Sequence, residues 1–185
     1  MSPATDPTAA LLRRGLLWVA GLTTLGIAVE LGMERHWTQP IQFVAWGAVI
    51  VAAVAVGLLA RARSRAGVRL ARILAVAVVL SAAMGIWQHV YANYDAGPLD
   101  FHYTETWDSL PEATRWWLAL TKSVGPSPPL APAALAQAGL CVLLATLRHP
   151  ALSQERAPDT ASVGEDRPAR PLIRTIRGMG FTRKA

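Results

Sequence analysis

Residues 41–60 read IQFVAWGAVIVAAVAVGLLA, a run of twenty residues in which Gln42 is the only strongly polar side chain. At a rise of about 1.5 Å per residue, a helix of this length matches a bilayer hydrocarbon core of about 30 Å. Pro40 precedes the run and fits the first turn of a helix, where a missing N–H donor does no harm. The run therefore predicts a transmembrane helix.

Three further apolar blocks lie on either side of this run, at about residues 16–34, 73–94 and 130–147. A soluble chain would scatter its apolar residues over shorter amphipathic stretches, so blocks of near-spanning length indicate a membrane protein. The sequence predicts an all-α fold, a bundle of four transmembrane helices over residues 11–150, after an N-terminal cytoplasmic segment, residues 1–10. The fourth block is the shortest.

A cleaved signal peptide is an alternative for the first block, because Arg13 and Arg14 precede an apolar run. Against this interpretation, the apolar run continues past the usual length, and no convincing small-x-small cleavage motif follows it. A first membrane span is the favoured prediction.

The basic residues predict the orientation in the membrane. Of the 18 Lys and Arg residues, those on one side of the predicted spans are Arg13, Arg14, Arg61, Arg63, Arg65, Arg69, Arg72 and eight in the tail. The other side has only Arg35, Arg115 and Lys122. Short cytoplasmic loops carry the excess of Lys and Arg. Both termini are therefore expected in the cytoplasm, and the arginine-rich, alanine-rich composition suggests a bacterial plasma membrane.

The segment between the third and fourth spans, residues 95–129, is acidic and aromatic and is predicted to be external. Ser109 and Glu112 have the spacing of a capping box, and apolar residues follow at helical intervals as far as Val124. A short amphipathic helix over residues 109–124 is expected. It would either lie on the outer membrane surface or fold over the mouth of the bundle as a lid.

Residues 151–185 lose hydrophobicity and gain Pro, Ser and charged residues, which predicts a disordered, basic cytoplasmic tail. Its last stretch mixes basic and apolar residues, so contact with anionic lipid is one interpretation and a solvated tail the other. The sequence pI of 10.4 suggests nucleic-acid binding as a third interpretation. The positive-inside charge distribution already explains that pI, and no nucleic-acid partner is expected.

Ionisable residues inside the spans are the candidates for function, because a charge is costly in a bilayer. Glu30 and Glu34 share one face of the first span, and His89 and Asn93 share one face of the third, with Gly85 on the same face. Glu30 and His89 lie at similar depth, about 21 and 24 Å along their helices. We expect these two side chains to contact each other or to share a water molecule.

Four interpretations of this cluster stay open. A divalent transition metal would bind Glu30, Glu34 and His89, with three further candidate ligands, His36, Asn93 and His102. A haem axial pair and a proton relay are the second and third. The fourth is a structural hydrogen bond between Glu30 and His89. The spacing matches no defined metal motif, so the metal prediction rests on residue types alone.

The remaining residues exclude several classes of function. Cys141 is the only cysteine, so no disulfide, Cys-rich zinc site or CxxC redox centre forms within one chain. His149, at the end of the fourth block, is expected to be solvated. No catalytic triad order, phosphate loop or nucleotide fingerprint is present, and nothing indicates an enzyme.

The run GIWQHVYANY over residues 85–94, and Leu130-Ala131-Pro132 before the last block, resemble a group of small uncharacterised bacterial membrane proteins with four spans. Glu30-Leu31, His36-Trp37 and Pro40 fit the same pattern. The resemblance covers about residues 11–150 and implies four helices but no activity. No motif of DoxX-like proteins occurs, and the lone cysteine excludes the quinone-linked disulfide-forming enzymes. Two classes of function remain, a structural or accessory membrane component, which docks with other membrane proteins, and a metal-binding or ligand-binding membrane protein.

Overall fold

The structure of the chain, a computed structural model, describes residues 6–152, and every regular element in that range is a helix. Five α-helices occur there: α1 Pro7–Met33, α2 Phe43–Arg61, α3 Arg65–Ala96, α4 Glu112–Leu120 and α5 Ala131–Ala145. Short 3₁₀ turns lie at Pro40–Gln42, Gly97–Leu99, Trp107–Ser109 and Pro150–Leu152. The predicted all-α class is confirmed for this range.

Three helical segments are long enough and apolar enough to cross a membrane: Pro7–Met33, Pro40–Arg61 and Arg65–Leu99. The fourth predicted span is shorter than expected. Helix α5 has 15 residues and, at about 1.5 Å each, a length of about 22 Å, against about 30 Å for a hydrocarbon core. Its proline-rich start explains the late beginning, because Pro128 and Pro129 lack backbone donors and lie outside the helix.

Four helices pack side by side, and α5 lies between α1 and α3. Helix α2 packs against the same two neighbours on the other side, so α1 and α3 occupy one diagonal of the bundle. Small side chains make the close packing possible: a Cβ atom added at Gly139 would lie 2.9 Å from Val79 and 3.0 Å from the carbonyl of Ala75. The interior is correspondingly rich in alanine, including Ala20, Ala55, Ala71, Ala75 and Ala138.

The two ends of the bundle differ in chemistry, and we name them by it. At the arginine end, α1 and α3 begin and α5 ends, since Arg13 and Arg72 both reach the last residues of α5. At the loop end, α3 ends and α5 begins, and the segment between them, residues 97–130, packs over α3. The helices thus run alternately up and down.

Helix α4 docks on α3 and differs in its bounds from the predicted amphipathic helix. It begins at Glu112, after Pro111, and the predicted capping box at Ser109 is wrong. The Ser109 hydroxyl donates backward to the carbonyl of Thr106 at 2.7 Å, because Trp107–Ser109 forms its own 3₁₀ turn. The helix ends at Leu120, four residues before the expected limit.

The described range ends inside the region that the sequence assigns to a disordered tail. Residues 151 and 152 belong to the packed structure, since Ala151 is 7% exposed and its N–H donates to Nδ1 of His149 at 3.2 Å. The expectation of a solvated His149 is also wrong, because this residue is only 7% exposed. The predicted disorder and lipid contact of the later tail, like residues 1–5, lie outside the described residues.

Candidate functional site

Asn93, one of the predicted site residues, is completely buried on α3 and holds the segment that leads into α5. Its amide nitrogen donates to the carbonyls of Ser127 at 2.7 Å and Ala119 at 3.1 Å. Its amide oxygen accepts from the N–H of Ser127 at 2.9 Å. The side chain therefore links α3 to the end of α4 and to the loop after it. Both the amide nitrogen and the amide oxygen serve a structural role.

Gly125 makes this arrangement possible. Its φ of +74° lies in the left-handed region, and an added Cβ atom would lie 2.5 Å from Oδ1 and 2.6 Å from Cα of Asn93. A residue with a side chain would be strained here and would also collide with α3. Gly125 is therefore needed for the loop to lie directly against the Asn93 side chain.

A stack of aromatic rings covers the same end of α3. Trp116 of α4 stacks on Tyr94 with ring centroids 4.3 Å apart and on Trp87 at 5.5 Å. Trp107 meets Tyr94 edge-on with ring centroids 5.6 Å apart, and the guanidinium of Arg115 lies over the same Tyr94 ring, 5.7 Å from its centroid. Such ring pairs and the cation–π contact together fix α4 on α3.

Trp107 is anchored by the absence of a side chain at Gly97. An added Cβ atom at Gly97 would overlap the Trp107 indole, which is 3% exposed. The segment over residues 97–130 is thus held at two glycines, Gly97 and Gly125, which face the buried side chains of Trp107 and Asn93. Neither contact was expected from the sequence, because nothing in a local pattern says which distant residue faces a glycine.

His89 uses one ring nitrogen for the fold. Nδ1 lies 2.7 Å from the carbonyl oxygen of Pro128, so Nδ1 carries the proton that it donates to this oxygen, and Nε2 has no hydrogen-bond partner within residues 6–152. The expected hydrogen bond with Glu30 is not formed within the described residues. Glu30 is exposed on α1, and α1 and α3 lie diagonally opposite, which separates the two faces that the sequence pairs.

His36 lies close enough to His89 for their charges to interact. Burial lowers the pKa of His36, a charge on His89 lowers it further, and the Glu34 carboxylate raises it. The backbone around His36 is fixed, since its carbonyl accepts from Nε1 of Trp46 at 2.9 Å and its N–H donates to the carbonyl of Leu31. The structure thus brings His36, His89 and Glu34 to one region of the loop end.

The other predicted ligands do not join this group. Asn93 has both ends of its amide occupied, as described above. His102 is exposed and pairs with Asp100 in its own turn, with Nδ1 and Oδ1 3.3 Å apart. Among residues 6–152, no three His, Cys, Asp or Glu side chains are placed to bind one metal ion. The metal site stays a prediction.

A second polar cluster, at the arginine end, was not expected from the sequence. Arg13 donates from Nε to the carbonyl of Ala145 at 3.1 Å and from Nη2 to that of Arg148 at 3.3 Å. Arg72 donates from Nε to the Thr146 hydroxyl at 2.7 Å and from Nη2 to its carbonyl at 3.1 Å. The carbonyls at the end of α5 have no partner inside their own helix, so two arginines from neighbouring helices take that place.

Compared with protein-family models, with curated proteins and with solved structures, the chain matches none of them. The interpretation of both clusters therefore rests on their own chemistry.

Proposed function

We propose that this protein is a four-span component of the bacterial plasma membrane with a structural or accessory role and both termini in the cytoplasm. The observation that carries the proposal is the outer surface of α1, α2 and α3. Large apolar side chains there are more than half exposed, among them Leu22, Leu25, Ile50, Ile73 and Leu80. A soluble monomer rarely exposes so much contiguous apolar surface.

The fourth crossing is supported by connectivity. Helix α5 begins at the loop end and finishes at the arginine end, and its two flanking helices are both long enough to span. Its short length is offset by the segments that precede and follow it, which hydrogen-bond to α3 through Asn93 and Arg72. Backbone groups outside the helix are thus satisfied within the protein, as a membrane environment requires.

The orientation is supported by the distribution of basic residues along the bundle. Within the described residues, eight arginines belong to the arginine end, namely Arg13, Arg14, Arg61, Arg63, Arg65, Arg69, Arg72 and Arg148. We expect reporter fusions after Leu147 to be cytoplasmic and fusions in residues 95–129 to be external. A cytoplasmic reporter in the latter segment would contradict the orientation.

The accessory role is supported by how the loop end uses its polar groups. Asn93 and His89 are committed to holding the external segment, which presents Leu99 and Phe101 to solvent at 84% and 83% exposure. We expect a photo-crosslinking residue at Phe101 to capture one discrete membrane partner in intact cells. The same residue at Ala119, which is fully buried, is the control. No product beyond that of the control would contradict the role.

Metal or small-ligand binding at the loop end is a second candidate, and His89 favours it. A metal-bound histidine commonly donates its other ring N–H to a carbonyl, as Nδ1 of His89 does to Pro128. His36 supplies a second imidazole in the same region, Glu34 supplies a carboxylate beside it, and Glu30 lies one turn earlier on α1. Imidazole and carboxylate suit a first-row divalent ion.

Elemental analysis of detergent-purified protein tests this candidate. We expect bound metal in the wild type and its loss in His89→Ala and His36→Ala, with His102→Ala unchanged as the matched control. A wild type that stays metal-free after purification without chelators and supplementation would overturn metal binding and leave the structural role.

A further inference from the structure

The arginine end concentrates positive charge around the last turn of α5. Arg13 approaches from α1 and Arg72 from α3, on the two sides of the helix end that they both bind. Arg148 follows in the same turn, and its carbonyl accepts from Arg13. Two guanidinium groups therefore bind this helix terminus, and a third arginine follows it in the chain.

This charge is not balanced by acidic side chains within residues 6–152. Asp6 is the only carboxylate of the described chain at this end, and its oxygen accepts from the N–H of Thr8 at the start of α1. The terminus of α5 contributes about half a negative charge from its carbonyls. Against the two guanidinium groups of Arg13 and Arg72, a positive excess remains.

The charge of the arginines reaches the buried His149 beside them. Burial lowers the pKa of His149, and the charges of Arg13 and Arg72 lower it further. The imidazole is therefore kept neutral and does not add to the cluster. The side chain is buried and accepts the N–H of Ala151 instead.

Both arginines keep donors for a further ligand. A guanidinium has five N–H groups, and Arg13 and Arg72 each place two of them on protein acceptors within the described residues. The remaining N–H groups suit the oxygens of a phosphate, which arginine binds with paired hydrogen bonds.

An apolar ridge leads from this cluster along the outer face of α5. Leu140 and Leu144 share one face of α5, Leu147 lies in the turn just after the helix, and their exposed fractions are 50%, 52% and 59%. The ridge lies between α1 and α3, the helices that carry Arg13 and Arg72. A cationic cluster next to an apolar ridge matches a molecule with an anionic head and an acyl chain.

We propose that the arginine end binds an anionic phospholipid, with the phosphate on the guanidiniums of Arg13 and Arg72 and an acyl chain along Leu140, Leu144 and Leu147. The inference rests on the proposed membrane location. The lipid would secure the end of the short helix α5, which Arg13 of α1 and Arg72 of α3 bind from within the protein.

Lipid binding to the full-length protein in detergent tests the inference. Phosphatidylglycerol is compared with phosphatidylcholine of the same acyl chains, by native mass spectrometry and by the shift in Tm. We expect tighter binding of phosphatidylglycerol by the wild type. Arg13→Gln and Arg72→Gln should each weaken it about fivefold, the equivalent of about 1 kcal/mol per basic residue near a lipid headgroup.

Arg63→Gln is the matched control, because Arg63 is exposed at the same end of the bundle, between α2 and α3, and the substitution removes the same charge. It should leave the affinity unchanged. Each shift is measured against the same variant without lipid, so a loss of intrinsic stability does not count. If Arg13→Gln and Arg72→Gln do not fold, Arg148→Gln replaces them, with the same expected direction.

Equal binding of the two lipids by the wild type would overturn the inference, and so would an equal loss in Arg63→Gln, which would indicate diffuse charge. Retention of the wild type in carbonate-washed membranes is measured separately. If the protein stays in the membranes but shows no lipid preference, only the lipid site is contradicted. If carbonate releases the protein, the proposed membrane insertion is contradicted as well.

Discussion

At the scale of single residues, Asn93 illustrates why a polar side chain in an apolar helix is retained. An isolated amide in a low-dielectric interior is unfavourable, but Asn93 makes three hydrogen bonds to the backbone of Ala119 and Ser127. The amide imitates a backbone group and so organises a loop that has no regular structure of its own. The sequence indicates that Asn93 has a role but not that this role is structural.

We expect Asn93→Ala to lower the free energy of unfolding by about 2–4 kcal/mol, because two carbonyls and one N–H lose their partner in a buried place. Gln88→Ala is the control, since Gln88 lies on the same helix and is exposed. Thermal unfolding in detergent measures both. Equal, small shifts in the two variants would contradict the structural role of Asn93.

Lys122 is a residue whose backbone conformation is unfavourable for its type. It follows α4 with a φ of +56°, and the N–H of Ser123 returns to the carbonyl of Leu118 at 2.9 Å, the pattern of a Schellman motif. Glycine is the usual residue at this position, because a Cβ atom costs energy in the left-handed region.

We therefore expect Lys122→Gly to raise the stability by about 1 kcal/mol, visible as a higher Tm. Ser123→Gly, one residue later, is the comparison, and it should not stabilise because the φ of Ser123 is not positive. A lower Tm for Lys122→Gly would show that the contacts of the lysine side chain stabilise the fold by more than the left-handed backbone conformation costs.

At the scale of elements, α4 shows how the two faces of a short helix serve different purposes. Trp116 and Ala119 face α3, whereas Trp117 is 63% and Leu120 44% exposed. The helix is thus packed against α3 along one face, and its opposite face exposes apolar side chains. The two interpretations left open by the sequence, a lid and a helix on the membrane surface, both stay predictions.

We expect Trp116→Ala to release α4 from α3 and to lower the stability by about 2–3 kcal/mol, somewhat less than for a fully buried tryptophan. Trp117→Ala should have little effect on folding, because this ring has no aromatic partner in the described structure. Hydrogen exchange of the α4 amides would distinguish the two. Similar protection in both variants would contradict docking through Trp116.

At the scale of the whole molecule, the order of helices around the bundle decides which polar residues meet. Matching depth and small neighbouring residues suggested that Glu30 and His89 form a pair. In the structure, α1 and α3 stand diagonally, with α2 and α5 between them. Gly85, the small residue on the face of His89, is instead approached by Pro132 of α5, whose Cβ would lie 3.0 Å from an added Cβ.

The stability of the bundle should decrease as the pH falls below about 6.5, the ordinary pKa of histidine. The pKa values of His36 and His149 are lowered in the fold, so the unfolded chain binds protons that the folded chain does not. The contribution of these two histidines to stability is complete above the pKa of the unfolded chain and is lost as the pH falls through their lower pKa values in the fold. Arg13 and Arg72 strengthen the effect at His149.

We expect Tm to be lower at pH 5 than at pH 7.5, with a smaller difference in His149→Asn, whose amide oxygen can still accept the N–H of Ala151. His102→Ala is the control, because His102 is exposed. An unchanged pH difference in His149→Asn would show that other groups cause it.

The sequence by itself determined the elements of this protein. Apolar runs of near-spanning length fix where long helices form, since backbone groups in an apolar stretch are satisfied only by helical hydrogen bonding. The segregation of arginines and the candidate residues Glu30, Glu34, His36, His89 and Asn93 were likewise visible. These features are local in the chain or are counts along it.

Only the tertiary structure decided which of these residues meet, because contacts depend on the neighbour relations and rotation of whole helices. Asn93 faces Ser127 and Gly125, His89 faces Pro128, and Arg13 and Arg72 reach the end of α5. Each contact joins residues more than 30 positions apart. Hydrophobic periodicity predicts which face of a helix is buried but not which helix covers it, because the hydrophobic effect is non-directional.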